Sequence, residues 1–379
     1  MLMPVGQSED MKAKVSVEDV AGEVPYSTEE YKPMLKEFGI DEMAPLLGYI
    51  KKPHYLYSRD VVIGQRDFSV VLDAMNKKKP FSVVTGANPS GRLHFGNKLF
   101  LDQALWFQEQ GADVFIPVSN EETYVFKKAQ TIEQATKNAL STVIPNIIAM
   151  GFDPDKTHIF ISTQTPKIYE LAMTLSAKLT VSTINAIFGF NASTPPGQVF
   201  YGVVQMAHIL LPQIKEFGGP KPVVVPIGID QDPYMRLSRD VAERAGMVKP
   251  SSTYHKFMHG LRSGKMSGSK PESCVYMDDD EDAAREKIGR AKTGGAGTVE
   301  LQRKNGGNPD VCNVFEYYNF HLARDNEHAK RVWSECKAGK RVCGDCKAEC
   351  VDLLREWLAA HKKRVEKAKN KMDKFVNLD

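Results

Sequence analysis

No run of eighteen apolar residues occurs anywhere in this 379-residue chain, which argues against an ordinary membrane-spanning helix. Met1 to Glu23 holds no apolar stretch of the secretory kind, so no signal peptide is expected and a cytoplasmic location follows by default. The net charge is only +3, which excludes a uniformly basic coat for nucleic acid. Internal repeats are also lacking. What is present is a globular mix, 42% hydrophobic and 26% charged, long enough for two or three domains. Two features are unevenly placed. Lys362, Lys363, Arg364, Lys367, Lys369, Lys371 and Lys374 form a local basic patch that can meet phosphates, or a merely solvated helix face. Five of the six cysteines, Cys312, Cys336, Cys343, Cys346 and Cys350, fall in the last fifth of the chain. With thiols kept reduced, such clustering points to a metal rather than to disulfides.

Residues 1–80 read as an appended segment, mixed and polar, with Pro25, Pro33, Pro45 and Pro53 set against any long helix. A strand is expected at Phe81–Val84, then a turn over Thr85–Gly91. A helix follows His94 to about Gln110, closed by Gly111, and Asp113–Val118 is a second strand. This βαβ unit implies a parallel sheet. Further on, the helical stretch Thr131–Met150 is interrupted at Pro145, and His158–Ser162 reads as a strand. Thr165 before Pro166 starts a helix toward Leu179. Val223–Ile227 is near-continuously apolar, as buried parallel strands are. Beyond it, Asp232 is expected as an N-cap with Pro233 at the first helical position, in a helix ending near Gly246. Asp278–Asp282 places negative charge at another helix start. The remainder reads as helical, with Leu354, Trp357, Leu358, His361, Val365, Ala368, Met372 and Phe375 on one stripe.

Three segments carry chemistry. Pro89-Ser90-Gly91-Arg92-Leu93-His94-Phe95-Gly96-Asn97 lies at a strand-to-helix turn, where free backbone N–H groups and the helix dipole favour phosphate. Gly96 lets a base or phosphate approach the backbone, and His94 can donate a hydrogen bond to it. Gly228-Ile229-Asp230-Gln231 follows a parallel strand, at the end where open α/β sheets bind ligands, and Asp230 can accept from a ribose hydroxyl. Gly264-Lys265-Met266-Ser267-Gly268-Ser269-Lys270 is a cationic loop able to follow a pyrophosphate as charge develops on it. Each alone also reads as a plain turn, an Asx turn or an exposed loop. Separately, Cys312, Cys336, Cys343 and Cys346 are spaced by 23, 6 and 2 residues. Four thiolates so placed could hold zinc or an iron–sulfur cluster, with Cys350 one helical turn on as a substitute, or stand as reduced thiols in a helical domain.

Taken in order, the three segments resemble the class I aminoacyl-tRNA synthetases. His94-Phe95-Gly96-Asn97 stands where that family has His-x-Gly-His, and Lys265-Met266-Ser267-Gly268-Ser269 where it has Lys-Met-Ser-Lys-Ser. Asn97 and Gly268 depart from those motifs, which shifts the phosphate-following charge onto Lys265, helped by Lys270. Ile227 to Ala242 and Ala186-Ile187-Phe188-Gly189-Phe190 are similar to the tryptophan enzymes of the archaeal and eukaryotic branch, over roughly residues 35–379. The resemblance implies an α/β fold: a Rossmann-like catalytic domain at 81–279 with its motif loop at 265–269, a helical anticodon-binding domain at 280–379, and the extension at 1–80. It implies ATP contacts at Pro89, Gly91, His94, Gly96, Asn97, Gly228, Asp230, Lys265 and Met266, with His94, Lys265, Ser267 and Ser269 catalytic. Tryptophan contacts are implied at Gly86, Glu122, Gln205 and Gln231, with Glu122 on the ammonium group.

The activity implied is ligation of L-tryptophan to tRNA(Trp) through an adenylate, with ATP and Mg2+, by a homodimer. Where the eukaryotic branch has a tyrosine and a glutamine near the indole, this chain has Val84 and Pro117. A site that reads a substrate N–H needs an acceptor, and Gln205 is the expected contributor. The cysteine spacing is similar to one that holds a four-iron cluster in some members. The competing readings are a tyrosine–tRNA ligase and a non-catalytic tRNA-binding relative.

Overall fold

A computed structural model of the protein describes residues 24–127 and 131–376, so the readings on Met1–Glu23 lie outside the described residues. Seven strands form one sheet: β1 (Asp41–Glu42), β2 (Val62–Arg66), β3 (Ser82–Val84), β4 (Asp113–Val118), β5 (Thr157–Ile161), β6 (Val223–Ile227) and β7 (Ser251–His255). Their spatial order is β1-β2-β7-β6-β3-β4-β5. β7, β6, β3, β4 and β5 run parallel, and the β1–β2 and β2–β7 pairs are antiparallel. The sheet is mostly parallel and Rossmann-like. The inner strands β4, β5 and β6 are largely apolar because both faces are covered. Val83, Val114 and Val224 enter one core with Phe95, Phe107 and Leu354, while Val84, Phe115 and Val225 enter the other with Phe160, Val204 and Leu237.

The chain runs from β3 outward to β4 and β5, then crosses back to lay β6 on the other side of β3. The crevice past the carboxyl ends of β3 and β6 is therefore the topological switch point, where such sheets bind ligands. The segment set apart as 1–80 supplies β1 and β2 to this same sheet. At the opposite edge, the Ile159 N–H donates to the Phe375 carbonyl at 2.8 Å, and Ile159 pairs with Val376.

From Glu281 the described chain has no β-strand and is mostly helical, with its longest helix at Cys343–Lys369. It docks on the sheet domain through Phe95, whose ring lies 4.9 Å from Trp357 and 5.6 Å from Tyr317. The interruption expected at Pro145 lies upstream of it, as a π-turn over Ala139–Val143. The wide turn accommodates the missing proline N–H, so the helical direction continues into Ile144–Ile148. Thr165 does not cap with its side chain; its hydroxyl turns back to the Ile161 carbonyl at 3.1 Å, and Pro166 at the first position sets the helix start. Asp232 is not an N-cap either. It is the first residue of the Asp232–Arg244 helix, and its buried carboxylate is held by Arg66 at 2.9 and 3.0 Å and by the Tyr254 hydroxyl.

Candidate active site

A cavity of about 880 Å³ opens at the switch point. All three chemical segments reach it, together with Gly86, Glu122, Gln205 and Gln231. Of the residues expected around ATP, Pro89 is missing from the lining; it stands behind the turn, its carbonyl accepting from Asn138 at 2.8 Å.

His94 takes the N-cap position of the Phe95–Glu109 helix, with extended backbone. Asn97 closes that end: its Oδ1 accepts from the His94 N–H at 2.9 Å. The asparagine thus satisfies an N-terminal N–H that would otherwise need another partner. Gly96 is required by contact, since a Cβ there would sit 2.9 Å from the His94 ring. Burial, and then the Lys265 charge, push the imidazole down to about 4, so it is neutral at physiological pH. Its buried Nδ1 has no hydrogen-bond partner.

The motif loop folds over this corner. The Gly96 N–H points at the Met266 sulfur, 3.2 Å away, and the Tyr276 hydroxyl donates to the Gly268 carbonyl at 2.8 Å. Gly268 packs against the histidine: a Cβ would lie 3.3 Å from His94 Cδ2 and 3.4 Å from the Arg92 carbonyl. The Ser267 and Ser269 hydroxyls pair at 2.9 Å. Lys265 binds Asp230 at 2.6 Å and stands 4.0 Å over the Phe257 ring. Gly228 clears that ring, which a Cβ would meet at 2.4 Å. The lysine meant for phosphate and the aspartate meant for ribose therefore hold each other.

The far end of the cavity is aromatic. Tyr201 meets Phe126 and Tyr234 edge-on, at 5.5 and 6.3 Å between ring centres. Behind it runs a buried polar chain. Tyr201 donates its hydroxyl proton to Gln205 Oε1 at 2.8 Å, and His208 Nδ1 lies 3.3 Å from the same oxygen. His208 Nε2 is 2.8 Å from Ser162 Oγ, which is 2.5 Å from Glu121 Oε1. Burial raises the Glu121 carboxyl to about 7, with Ser162 opposing, and pushes His208 down to about 3. Of this chain, sequence reasoning reached Gln205 alone and missed Tyr201, His208, Ser162 and Glu121. A signal existed for part of it, because Tyr201, Gln205 and His208 share one helix face by spacing; Ser162 has none.

The four cysteines also come together. Cys312, Cys336, Cys343 and Cys346 line one pocket of about 20 Å³. Burial and then neighbouring thiols raise Cys336 to about 11. Cys350 is fully buried and does not line that pocket, but burial and then Cys346 and Cys312 raise its thiol as well. Among the described residues, no group of three or more His, Cys, Asp or Glu is arranged to hold a metal ion.

Residues 75–359 match the family model of class I tRNA synthetases for W and Y. A tryptophan–tRNA ligase of Methanocaldococcus jannaschii is 40% identical over 345 residues, which cover 90% of this chain and 93% of that protein. The crystal structure of the tryptophanyl-tRNA synthetase from Aeropyrum pernix superposes with a TM-score of 0.86 at 37% identity, covering 93% of this chain and 97% of the other. That of the Encephalitozoon cuniculi enzyme bound to tryptophan gives 0.83 at 27%, covering 92% and 98%.

Proposed function

The chain belongs to the class I tRNA synthetases for tryptophan and tyrosine, and from that premise we propose how its residues divide the work. The activity is that of a tryptophan–tRNA ligase: L-tryptophan and ATP give tryptophanyl-adenylate and diphosphate, and transfer to tRNA(Trp) gives Trp-tRNA and AMP. The observation that carries the assignment of roles is the convergence of the three segments on one cavity at the switch point.

The tryptophan carboxylate attacks the α-phosphorus in line and diphosphate leaves. No covalent enzyme intermediate is needed, so catalysis is positioning and charge stabilisation. His94, neutral and with Nδ1 unspent, donates to a phosphate oxygen beside the helix N-terminus. Asp230 takes the ribose hydroxyls, which frees Lys265 to follow the departing diphosphate, with Ser267 and Ser269 beside it. Glu122 receives the substrate ammonium, and Gln231 is a further contact to tryptophan, both from the lining of the cavity. In the second step a terminal ribose hydroxyl of tRNA attacks the adenylate. Mg2+ would come with ATP and supply charge stabilisation at its phosphates; the two carboxylates of the lining, Glu122 and Asp230, would not make a cage for it.

The helical part reads the anticodon, with Lys362, Lys363 and their neighbours on tRNA phosphates, which position without specifying. Arg364 is partly committed to the fold, donating to the Ala149 carbonyl at 2.8 Å. A homodimer would cover the exposed Met173, Val181 and Phe200. Among the described residues no single helix is long and apolar enough to cross a membrane, and the reaction's partners favour the cytoplasm.

Cys312, Cys336, Cys343 and Cys346 are the ligand set for zinc or an iron–sulfur cluster, which would brace the helical domain. Supporting this, glycines cradle the thiols: a Cβ at Gly295 would lie 2.4 Å from Cys343 Sγ, and one at Gly307 2.8 Å from Cys336 Sγ. Anaerobic purification followed by metal analysis and absorbance decides it; a colourless, zinc-free protein rejects a metal.

The function itself is tested by ATP–pyrophosphate exchange with Mg2+, comparing tryptophan and tyrosine. Exchange with tryptophan alone is expected. Folded protein that exchanges with neither amino acid would replace the ligase with a binding protein.

A further inference from the structure

We propose that Glu121, Ser162 and His208 form a one-directional hydrogen-bond relay that turns the Gln205 amide N–H2 toward the substrate, where it holds the tryptophan carboxylate. This rests on the tryptophan–tRNA ligase reading.

The direction follows from counting protons. A carbonyl oxygen has two lone pairs. Gln205 Oε1 spends one on the Tyr201 hydroxyl at 2.8 Å and meets His208 Nδ1 at 3.3 Å with the other. That contact is a bond only if Nδ1 carries the proton. The buried imidazole is neutral, so Nε2 then accepts, and the atom facing it at 2.8 Å is Ser162 Oγ. The serine has one proton, now given to His208. In that state it can only accept toward Glu121 Oε1, 2.5 Å away, which puts the proton on the carboxyl; with Glu121 ionised the serine is the donor across the same contact.

An independent observation agrees. Glu121 Oε2 is buried with no hydrogen-bond partner, a position too costly for an ionised carboxylate oxygen. The titratable groups facing Glu121 are Glu122 on its own helix, Tyr169 from the Pro166–Ser176 helix, and Tyr201 and His208 from the Pro196–Leu210 helix. None of these four brings a positive charge, and burial raises the carboxyl to about 7.

With Glu121 ionised the chain reverses. Ser162 donates to the carboxylate, His208 donates from Nε2, and its Nδ1 lone pair faces the Gln205 oxygen, so the amide must turn round. In the forward state the amide presents donors. Tryptophan's ammonium and indole N–H are themselves donors, which leaves its carboxylate as the matching group. Gln205 then orients the attacking nucleophile, and the indole N–H is read elsewhere. Glu121, Ser162 and His208 are positioning residues.

The test compares wild type, Glu121→Gln and Ser162→Ala in pyrophosphate exchange from about pH 5.5 to 8.5, around the ordinary and raised carboxyl ranges. In wild type, KM for tryptophan should rise as pH passes about 7 while KM for ATP stays level. Glu121→Gln keeps an N–H donor toward Ser162, so its KM should stay within ~3-fold of the low-pH wild-type value and lose its pH dependence. Ser162→Ala should raise KM for tryptophan by ~10-fold at every pH. A flat wild-type profile, or Glu121→Gln behaving like Ser162→Ala, overturns the relay. If Ser162→Ala does not fold, the other two proteins decide. If wild type shows no exchange, the ligase reading fails; tryptophan binding by calorimetry then carries the same comparison, and no binding rejects the relay too.

Discussion

Replacing Lys265 by alanine separates catalysis from stability. The Lys265 side chain is 41% exposed and that of its partner Asp230 17%, so the ion pair should contribute only ~0–1 kcal/mol to folding. Loss of the pair also leaves Asp230 within reach of water, without the large penalty of a stranded buried charge. In the transition state the same ammonium meets a diphosphate acquiring charge inside the cavity. Losing one such preorganised donor typically costs ~10²–10³ in kcat, or about 2.7–4 kcal/mol. Lys265→Ala should therefore lower the pyrophosphate-exchange kcat by that factor, leave KM for tryptophan within ~3-fold, and move Tm by less than about 2 °C. Lys265→Arg keeps the charge but not the compact ammonium over the Phe257 ring, and should fall between the two. A kcat loss under ~3-fold with unchanged Tm would refute the role, because the loop's remaining cation, Lys270, would then be sufficient.

Arg66→Ala strands the Asp232 carboxylate, which is 0% exposed and keeps only Tyr254 and the more exposed Arg236. A loss of ~2–4 kcal/mol is expected, about 3–5 °C in Tm, and Asp232→Asn in the same chain should recover part of it. No recovery in the double variant would mean that the arginine acts through its bonds to Phe38 and Gly39 instead. Glu121 has a folded value raised from 4.5 to about 7. Its contribution is therefore fully favourable below the unfolded value and lost as pH rises through the folded one, a change of ~3 kcal/mol. Glu121→Gln should gain stability relative to wild type between those values, and a pH-independent difference in Tm would exclude that cause. Raising salt from about 50 to 200 mM should weaken tRNA binding ~10-fold or more while sparing tryptophan activation. Lys362→Ala and Lys363→Ala should each flatten the salt slope by about one, and an unchanged slope removes them from the interface.

What the sequence made legible was local. β3, the turn, the helix after His94 and β4 are consecutive, and their turn glycines, helix ends and apolar runs announce them. The three segments could be ordered without knowing their distances because each sits at the end of a strand or within one loop. What stayed hidden depends on partners far along the chain. Asp232 looked like a cap because Asp before Pro usually is one, but Arg66 is 166 residues away. β2 could not be assigned to the sheet because its antiparallel partner is β7. Gly268 read as a missing lysine, whereas the folded loop presses that position against His94. Gln205 was expected to accept from the indole N–H, but whether its amide offers a donor or an acceptor depends on a histidine tautomer that no spacing shows.

The Ile159–Phe375 bond has a consequence for how the chain is made. β5 is an edge strand, and on its outer side the Ile159 N–H is met by the Phe375 carbonyl, with Val376 paired beside it. On the ribosome those two residues emerge only after every strand of the sheet has been made. Until then the nascent sheet carries an open edge, the kind of surface on which chains recruit one another. A chain cut short before Phe375 would keep every active-site residue and still lack that cover, so its defect should appear as aggregation during expression rather than as lost chemistry.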